Sequence, residues 1–428
     1  SGWVGGVCGF NSGKIENSYY NNSVYSGKAV GYDKRTVTKV AGKTSEQFAS
    51  GEVAYLLGGI WGQKIGKDTL PVLNGEKVYE NKTYTGCCEK YQGDVTKEYS
   101  NTKADTIYLG NHNFKNGICT GCGTYEPIEP ELKDGYYQIE NVNHLYWFAK
   151  QVNNGETSIS AVLTADIVVN ENIFDENGNL IADLEIWTPI GTNYVNEYQG
   201  IFDGQSHTIK GLYFNNENTD NVGLFGCNSN TIKNIGIIDS FFEGRNYVGS
   251  LCGYNKGTIT NSYNTSSSVS GESWVGGVCG VNHTNSTITN SYNTGSVSSS
   301  SVLIGGFCGN NSGKIENSYN IGIVNGKNYV GGFCGNNTGT ITKSYYLENC
   351  NAEGTKFTNS YGITQTSEQF SNGEVAYRLG EIWGQEIEKD KLPVLNGKKV
   401  YENKTCSGCC EKYQGDITYV YSNIQKDA

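Results

Sequence analysis

Short apolar runs separated by glycine and asparagine recur along the chain at a nearly constant interval. Between Tyr247 and Tyr345 the phrase is (Val/Ile)-Gly-(Gly/Ser)-(Val/Leu/Phe)-Cys-Gly-x-Asn-x-Gly-x-Ile-x-Asn-Ser-Tyr, with copies starting at Val248, Val275, Ile304 and Val330 and degenerate ones at Val222 and Val4. The cysteines of the four full copies, Cys252, Cys279, Cys308 and Cys334, are 27, 29 and 26 residues apart. Within a copy, the runs Tyr247 to Cys252, Thr258 to Tyr263 and Ser266 to Val269 are bounded by Gly253, Asn255, Gly257 and Asn264, which marks them as strands. Units this short cannot bury an apolar face alone and have no room for a crossover helix, so each is one coil stacked on the next at ~4.8 Å. The pattern therefore predicts an all-β chain, a right-handed parallel β-helix (solenoid) over residues ~157 to ~350, with short helical caps and small Cys-rich modules between arrays. The copy at Val275 carries two extra residues at His283-Thr284-Asn285-Ser286, an insertion that a coil corner absorbs without loss of register.

Stacking turns each repeat position into a row. The residue three after each repeat cysteine is asparagine, at Asn255, Asn282, Asn311, Asn337 and, in the first fragment, Asn11. Such a row predicts an amide ladder bonded from coil to coil. Tyr263, Tyr292, Tyr319 and Tyr345 form a second row. Strict alternation from Ile259 points them inward, whereas a bend at Asn261 resets the phase and turns them out. An outward stripe could bind glycans; packing in the core or under a cover is favoured.

Open solenoid ends are bare strand edges that invite aggregation unless covered. At the front, Leu145, Phe148, Ala149 and Val152 fall at helical spacing behind Asn141, a helix cap. At the back, Thr44-x-x-Gln47 and Thr366-x-x-Gln369 are capping boxes, followed by Phe48, Val53 and Leu57 and by Phe370, Val375 and Leu379. Trp61 and Trp383 are expected to seal these caps, with Pro71-Val-Leu and Pro393-Val-Leu as a last strand. The stretch from Thr44 returns at Thr366, 322 residues later. The expected organisation is thus the last coils of one array (1–43), its cap (44–80), a Cys/His linker module (81–126), a front cap (127–156), a β-helix (157–365), its cap (366–401) and a partial second module (402–428). The duplication, with a start inside a repeat, suggests a piece of a longer string of arrays.

The linker module holds the chain's candidate metal chemistry. Cys87 and Cys88 precede His112 and the knuckle Cys119-Thr-Gly-Cys122-Gly, which supply the ligand types of a closed Cys3His zinc site. Disulfides between Cys87 or Cys88 and Cys119 or Cys122 fit equally well. The second copy keeps only Cys406-x-x-Cys409-Cys410.

Composition narrows the function. A formal charge of −11 with no basic stripe argues against nucleic acid, and no run approaches the ~20 apolar residues of a membrane span. The motif His-Glu-x-x-His is absent, and His112, His144, His207 and His283 lie in separate segments. A pair between Asp203 and His207 is conceivable, but a turn after a strand explains that phrase. Asp175, Asn177 and Asn179 likewise fit a solvated hairpin better than a calcium loop lacking its twelfth-position Glu.

The phrase Gly-Gly-x-x-Gly-x-Asn-x-Gly-x-Ile-x-Asn-Ser-Tyr resembles the GLUG repeat of bacterial surface proteins, adhesins and the non-catalytic part of some immunoglobulin A peptidases. Trp187-Thr-Pro-Ile-Gly191 and Ile201-Phe-Asp-Gly-Gln-Ser-His-Thr-Ile-Lys-Gly211 are similar to the lead-in before such repeats. The resemblance covers most of residues 130 to 401 and implies an extracellular, cell-surface β-helix that presents or spaces a binding face. Host or cell-surface glycans or proteins would be its partners. The alternatives are a structural subunit that self-associates into an extracellular filament and, behind it, a polysaccharide-processing β-helix enzyme. Catalysis is not expected, because the exposed repeat positions are Thr, Ser, Asn and Gly. Cysteine in the Gly-Gly-x-Cys-Gly position departs from the usual repeat.

Overall fold

The computed structural model describes residues 2–88, 91–351, 359–407 and 417–426. The chain forms two compact units, residues 1–123 and 124–428.

The second unit is a parallel β-solenoid. One coil runs Cys252–Asn255, Thr258–Thr260, Tyr263–Thr265 and Ser268–Gly276, and each segment pairs in parallel with its counterpart in the next coil, giving four faces. Register follows the repeat: Cys252 lies beside Cys279, Cys279 beside Cys308, and Cys308 beside Cys334. Ile232, Ile259, Ile288, Ile315 and Ile341 form a second column. The corner His283–Ser286 absorbs the extra residues, because Thr287 to Thr289 still pair with Lys314 to Glu316.

Polar positions are as ordered as the apolar ones. Nδ2 of Asn228, Asn255, Asn282 and Asn311 each donates to Oδ1 of the asparagine one coil on, at 2.8, 2.9, 2.8 and 2.7 Å, ending at Asn337. Asn228 heads this ladder although its copy is degenerate: Phe225 takes the cysteine register there, and Cys227 the next outward one. A second buried ladder, not foreseen from the sequence, runs Asn264 to Asn293 to Asn320 at 2.7 and 2.8 Å. It explains the second glycine of the repeat: a Cβ on Gly306 would collide with the Asn320 amide, and the Gly306 carbonyl accepts from Asn293 at 2.8 Å. The ladder starts beside Ile237, so Oδ1 of Asn264 has no acceptor role to fill.

The tyrosine row faces outward. Asn261, Asn290 and Asn317 sit at φ of 50, 50 and 47°, and this left-handed corner resets the alternation, so the inward reading fails. Tyr263, Tyr292 and Tyr319 stack outside at centroid spacings of 4.8 and 5.0 Å.

Both closing elements form, though one sits elsewhere than expected. Helix Val142–Asn153 is capped by Asn141 and buries Leu145, Phe148, Ala149 and Val152 at the front of the core, with Phe148 against Tyr198 and Phe202. The capping boxes at Thr44/Gln47 and Thr366/Gln369 are both reciprocal. The rear cap, however, lies along the tyrosine stripe instead of across the strand edges. Trp383 donates Nε1 to the Asn317 carbonyl at 3.1 Å and packs on Tyr292 and Tyr319, while the Tyr319 hydroxyl donates to the Pro393 carbonyl at 2.8 Å. The stripe is an apolar surface that needs cover, and strand Ile363–Gln365 already pairs with Tyr345–Leu347 at the edge. Val394–Leu395 is not a solenoid strand but half of a hairpin with Trp383–Gly384.

The first unit repeats these parts at smaller scale. Cys8–Asn11 pairs with Val30–Asp33 and Ile15–Asn21 with Val37–Lys43, both in parallel. Asn11 here donates to Oδ1 of Asp33 at 2.9 Å. Its cap tryptophan, Trp61, is 37 % exposed against 3 % for Trp383.

Candidate functional site

The cysteine–histidine cluster is assembled by the small sheet that follows the first cap. Tyr79–Tyr84 pairs antiparallel with Val95–Ser100 and parallel with Ile107–Tyr108, and the Gly110 N–H donates to the Gly86 carbonyl at 3.0 Å. That bond sets the segment carrying His112 beside Cys87. Phe114–Lys115 pairs with Ile118–Cys119, and Gly123, at φ of 80°, donates to the Cys119 carbonyl at 2.9 Å to close the knuckle.

One ligand atom each from Cys87, His112, Cys119 and Cys122 lies within 4.8 Å of every other, and Cys122 Sγ is 3.4 Å from His112 Nδ1. Tetrahedral zinc with Zn–S of about 2.3 Å places its ligands roughly 3.5 to 3.8 Å apart, so a contraction of about 1 Å closes a shell. Cys88 stands outside this set: its Sγ is 3.9 Å from that of Cys87, and its backbone bridges Tyr91. Burial opposes ionisation of Cys119, but N–H groups of Cys122 and Gly121 and the His112 ring outweigh it and hold the thiol at about 6. These four groups can hold a metal ion. Cys406 is exposed, and Cys409 and Cys410 lie outside the described residues.

The stacked repeat cysteines behave differently. Cys252, Cys279, Cys308 and Cys334 are buried free thiols, and the last three donate to carbonyls of their own strands, at 3.2, 3.3 and 3.0 Å. Burial pushes the thiols of Cys279 and Cys334 well up, whereas burial of Cys308 between them is outweighed by bonds from both neighbouring thiols and from backbone groups of Asn282 and Asn310, which lower it. At 0 % exposure all four are packed as core residues.

Acid–base candidates dissolve on inspection of their partners. His207 approaches Asp166, at 3.3 Å, and not Asp203, which instead pairs with Lys233 at 3.2 Å and accepts from Gln205 and Asn234. Asp175 accepts from the backbone of Asn177 and Asn179 inside a hairpin turn, as the sequence suggests.

Residues 272–298 match the family described as the GLUG motif. A solved chain from Bacteroides ovatus that carries the name "putative immunoglobulin A1 protease" superposes with a TM-score of 0.44 at 18 % identity, covering 61 % of this chain and 93 % of that one. No curated protein matches.

Proposed function

We propose that the chain is a non-catalytic, cell-surface repeat protein of adhesin type, whose closed solenoid holds a binding face for glycans or proteins away from the cell. The observation that carries this reading is how the polar groups of the repeats are used: the inward asparagines and thiols bond within and between coils, leaving only the outer faces for a partner. The GLUG match at residues 272–298 supports it. No described helix is long and apolar enough to cross a membrane.

A filament subunit needs two free solenoid ends. Helix Val142–Asn153 occupies one end of the second unit, and strand Ile363–Gln365 occupies part of the other. Light scattering and electron micrographs of the full chain at high concentration are expected to give separate particles of one chain mass. Ordered fibres would overturn the display reading in favour of the filament.

The Cys/His cluster is proposed as a structural zinc site of Cys87, His112, Cys119 and Cys122, which ties the hairpin module to the knuckle. His112 supports zinc over disulfides, since a disulfide gives its imidazole no part. Purified protein should carry about one equivalent of zinc, lost in Cys119→Ser/Cys122→Ser together with hydrogen-exchange protection over residues 79–123. A zinc-free protein two mass units light per bridge would establish disulfides instead.

A further inference from the structure

The sequence singles out the tyrosines of the Asn-Ser-Tyr row as a possible glycan stripe, and the cap covers that stripe. A different aromatic row remains outside. The residue just before each repeat's leading Val or Ile occupies a solenoid corner in the left-handed region: Asn221, Tyr247, Trp274, Leu303 and Tyr329, at φ of 59, 58, 55, 61 and 49°.

This conformation costs a bulky side chain roughly 1 to 3 kcal/mol, and asparagine tolerates it best. The first of these corners uses asparagine, as do the corners at Asn234, Asn261, Asn290 and Asn317 on the other side of the coil. At four successive coils the cheaper residue is replaced by Tyr, Trp, Leu and Tyr. Tyr247 and Trp274 stack at 4.9 Å, and Tyr254 stands edge-on to Tyr247 and to Tyr194, with His283 beyond it at 5.7 Å. Tyr194 and Tyr329 are 49 and 56 % exposed.

Two features bear on what this surface would hold. Among the described residues, the hydroxyls of Tyr194, Tyr247 and Tyr254 and the indole N–H of Trp274 have no protein hydrogen-bond partner, whereas Trp187, Trp383 and Tyr319 each have one. Two of the cations nearby are already matched: Lys256 lies over Tyr194 and Tyr254 but pairs with Glu197 at 2.6 Å, and Arg245 forks onto Asp220 at 2.9 and 2.6 Å. Lys327 and Glu272, each two residues before a corner ring, are exposed and opposite in sign. Ring edges with free polar tips and no excess of either charge suit an uncharged, polyhydroxylated chain whose C–H faces pack on aromatics. Coils ~4.8 Å apart offer it a repeating contact of about one sugar ring per coil.

A related grouping occurs in the first unit. Trp3 precedes Val4 as Trp274 precedes Val275, and it stacks on Phe10 and Tyr32 at 4.9 and 5.1 Å. Lys34 lies over both Phe10 and Tyr32.

The geometry points to a neutral-polysaccharide site along the corner row Tyr247, Trp274, Leu303 and Tyr329, with Tyr194 and Tyr254 as its side wall. This inference rests on the display reading and gives that reading a ligand class.

The test uses the full chain and soluble probes: a β-glucan, a galactomannan and an α-mannan as neutral arms, polygalacturonate and heparin as acidic arms. At least one neutral polysaccharide is expected to bind by calorimetry with a saturable change in tryptophan emission. Tyr247→Asn and Trp274→Asn introduce the residue that the same corner bears at Asn221, so the fold should persist with an unchanged or raised Tm. Each should weaken binding about three- to tenfold, and the double variant should abolish it. Tyr263→Phe, which alters the other row, should bind normally. The inference is overturned if no neutral probe binds, if only acidic ones do, if the double variant binds as well as the parent, or if the asparagine variants unfold. Any of these with separate single-chain particles would leave the display reading standing without this ligand.

Discussion

Asn293→Leu is expected to destabilise the solenoid by about 4 kcal/mol or more, although leucine keeps the branched four-heavy-atom skeleton of asparagine. The Asn293 amide donates to Asn320, Gly295 and Gly306 and accepts from Asn264 and the Gly295 N–H, all in the buried interior. The substitution takes bonds from several buried polar groups at once, and each left unpaired costs ~1 to 3 kcal/mol. Because coils contact only their neighbours, the damage should be local before it is global. Hydrogen exchange should rise first in Tyr263–Thr265, Tyr292–Asn293 and Tyr319–Asn320, and the urea midpoint should fall. Asn336→Leu is the comparison: its amide bonds Asn310 at 2.7 Å but is half-buried on the outside, so water can replace the lost partner. A shift below about 1 kcal/mol is expected there. Equal effects from the two variants would mean that the inner ladder is no more than decoration.

Phe370→Asp/Val375→Asp is expected to detach the rear cap while the coils stay folded. Both side chains are buried, and Phe370 meets Tyr319 at 5.6 Å. Two carboxylates there cannot be solvated in place, and forfeiting two apolar side chains removes ~1.5 to 3 kcal/mol each before that penalty is counted. The consequence follows from where the cap lies: its loss bares the stacked rings of Tyr292 and Tyr319 and the buried Tyr345, not a strand edge. The variant should therefore become protease-sensitive between residues 366 and 400 and self-associate through an aromatic surface, with the β-signal of the coils intact. A monomeric, protease-resistant variant would show that the stripe needs no cover.

How much of this was legible in the sequence depends on whether a position is read by period or by partner. The cysteine and isoleucine columns, the first asparagine ladder, the front helix with Asn141 and both capping boxes follow from spacing alone. The second ladder did not, because Asn264, Asn293 and Asn320 look like turn residues until the left-handed corner at Asn261 turns them inward. The same corner decided the direction of the tyrosines. The flank position of the rear cap, the choice of Cys87 over Cys88 and the attachment of His207 to Asp166 are set by segments far apart in sequence, which a single chain's pattern does not report. The corner aromatics were read as the start of a strand, and only backbone angles mark them as costly choices.

The uniform sense of the inner ladders, each amide donating to the asparagine one coil on, makes the coil count an adjustable quantity. Removing or adding a whole coil leaves every amide between the ladder ends with a donor on one side and an acceptor on the other, while a fragment of a coil breaks both columns. The molecule is in this sense a ruler graded in steps of ~4.8 Å, able to change its reach by duplication or loss of one repeat without renegotiating its interior.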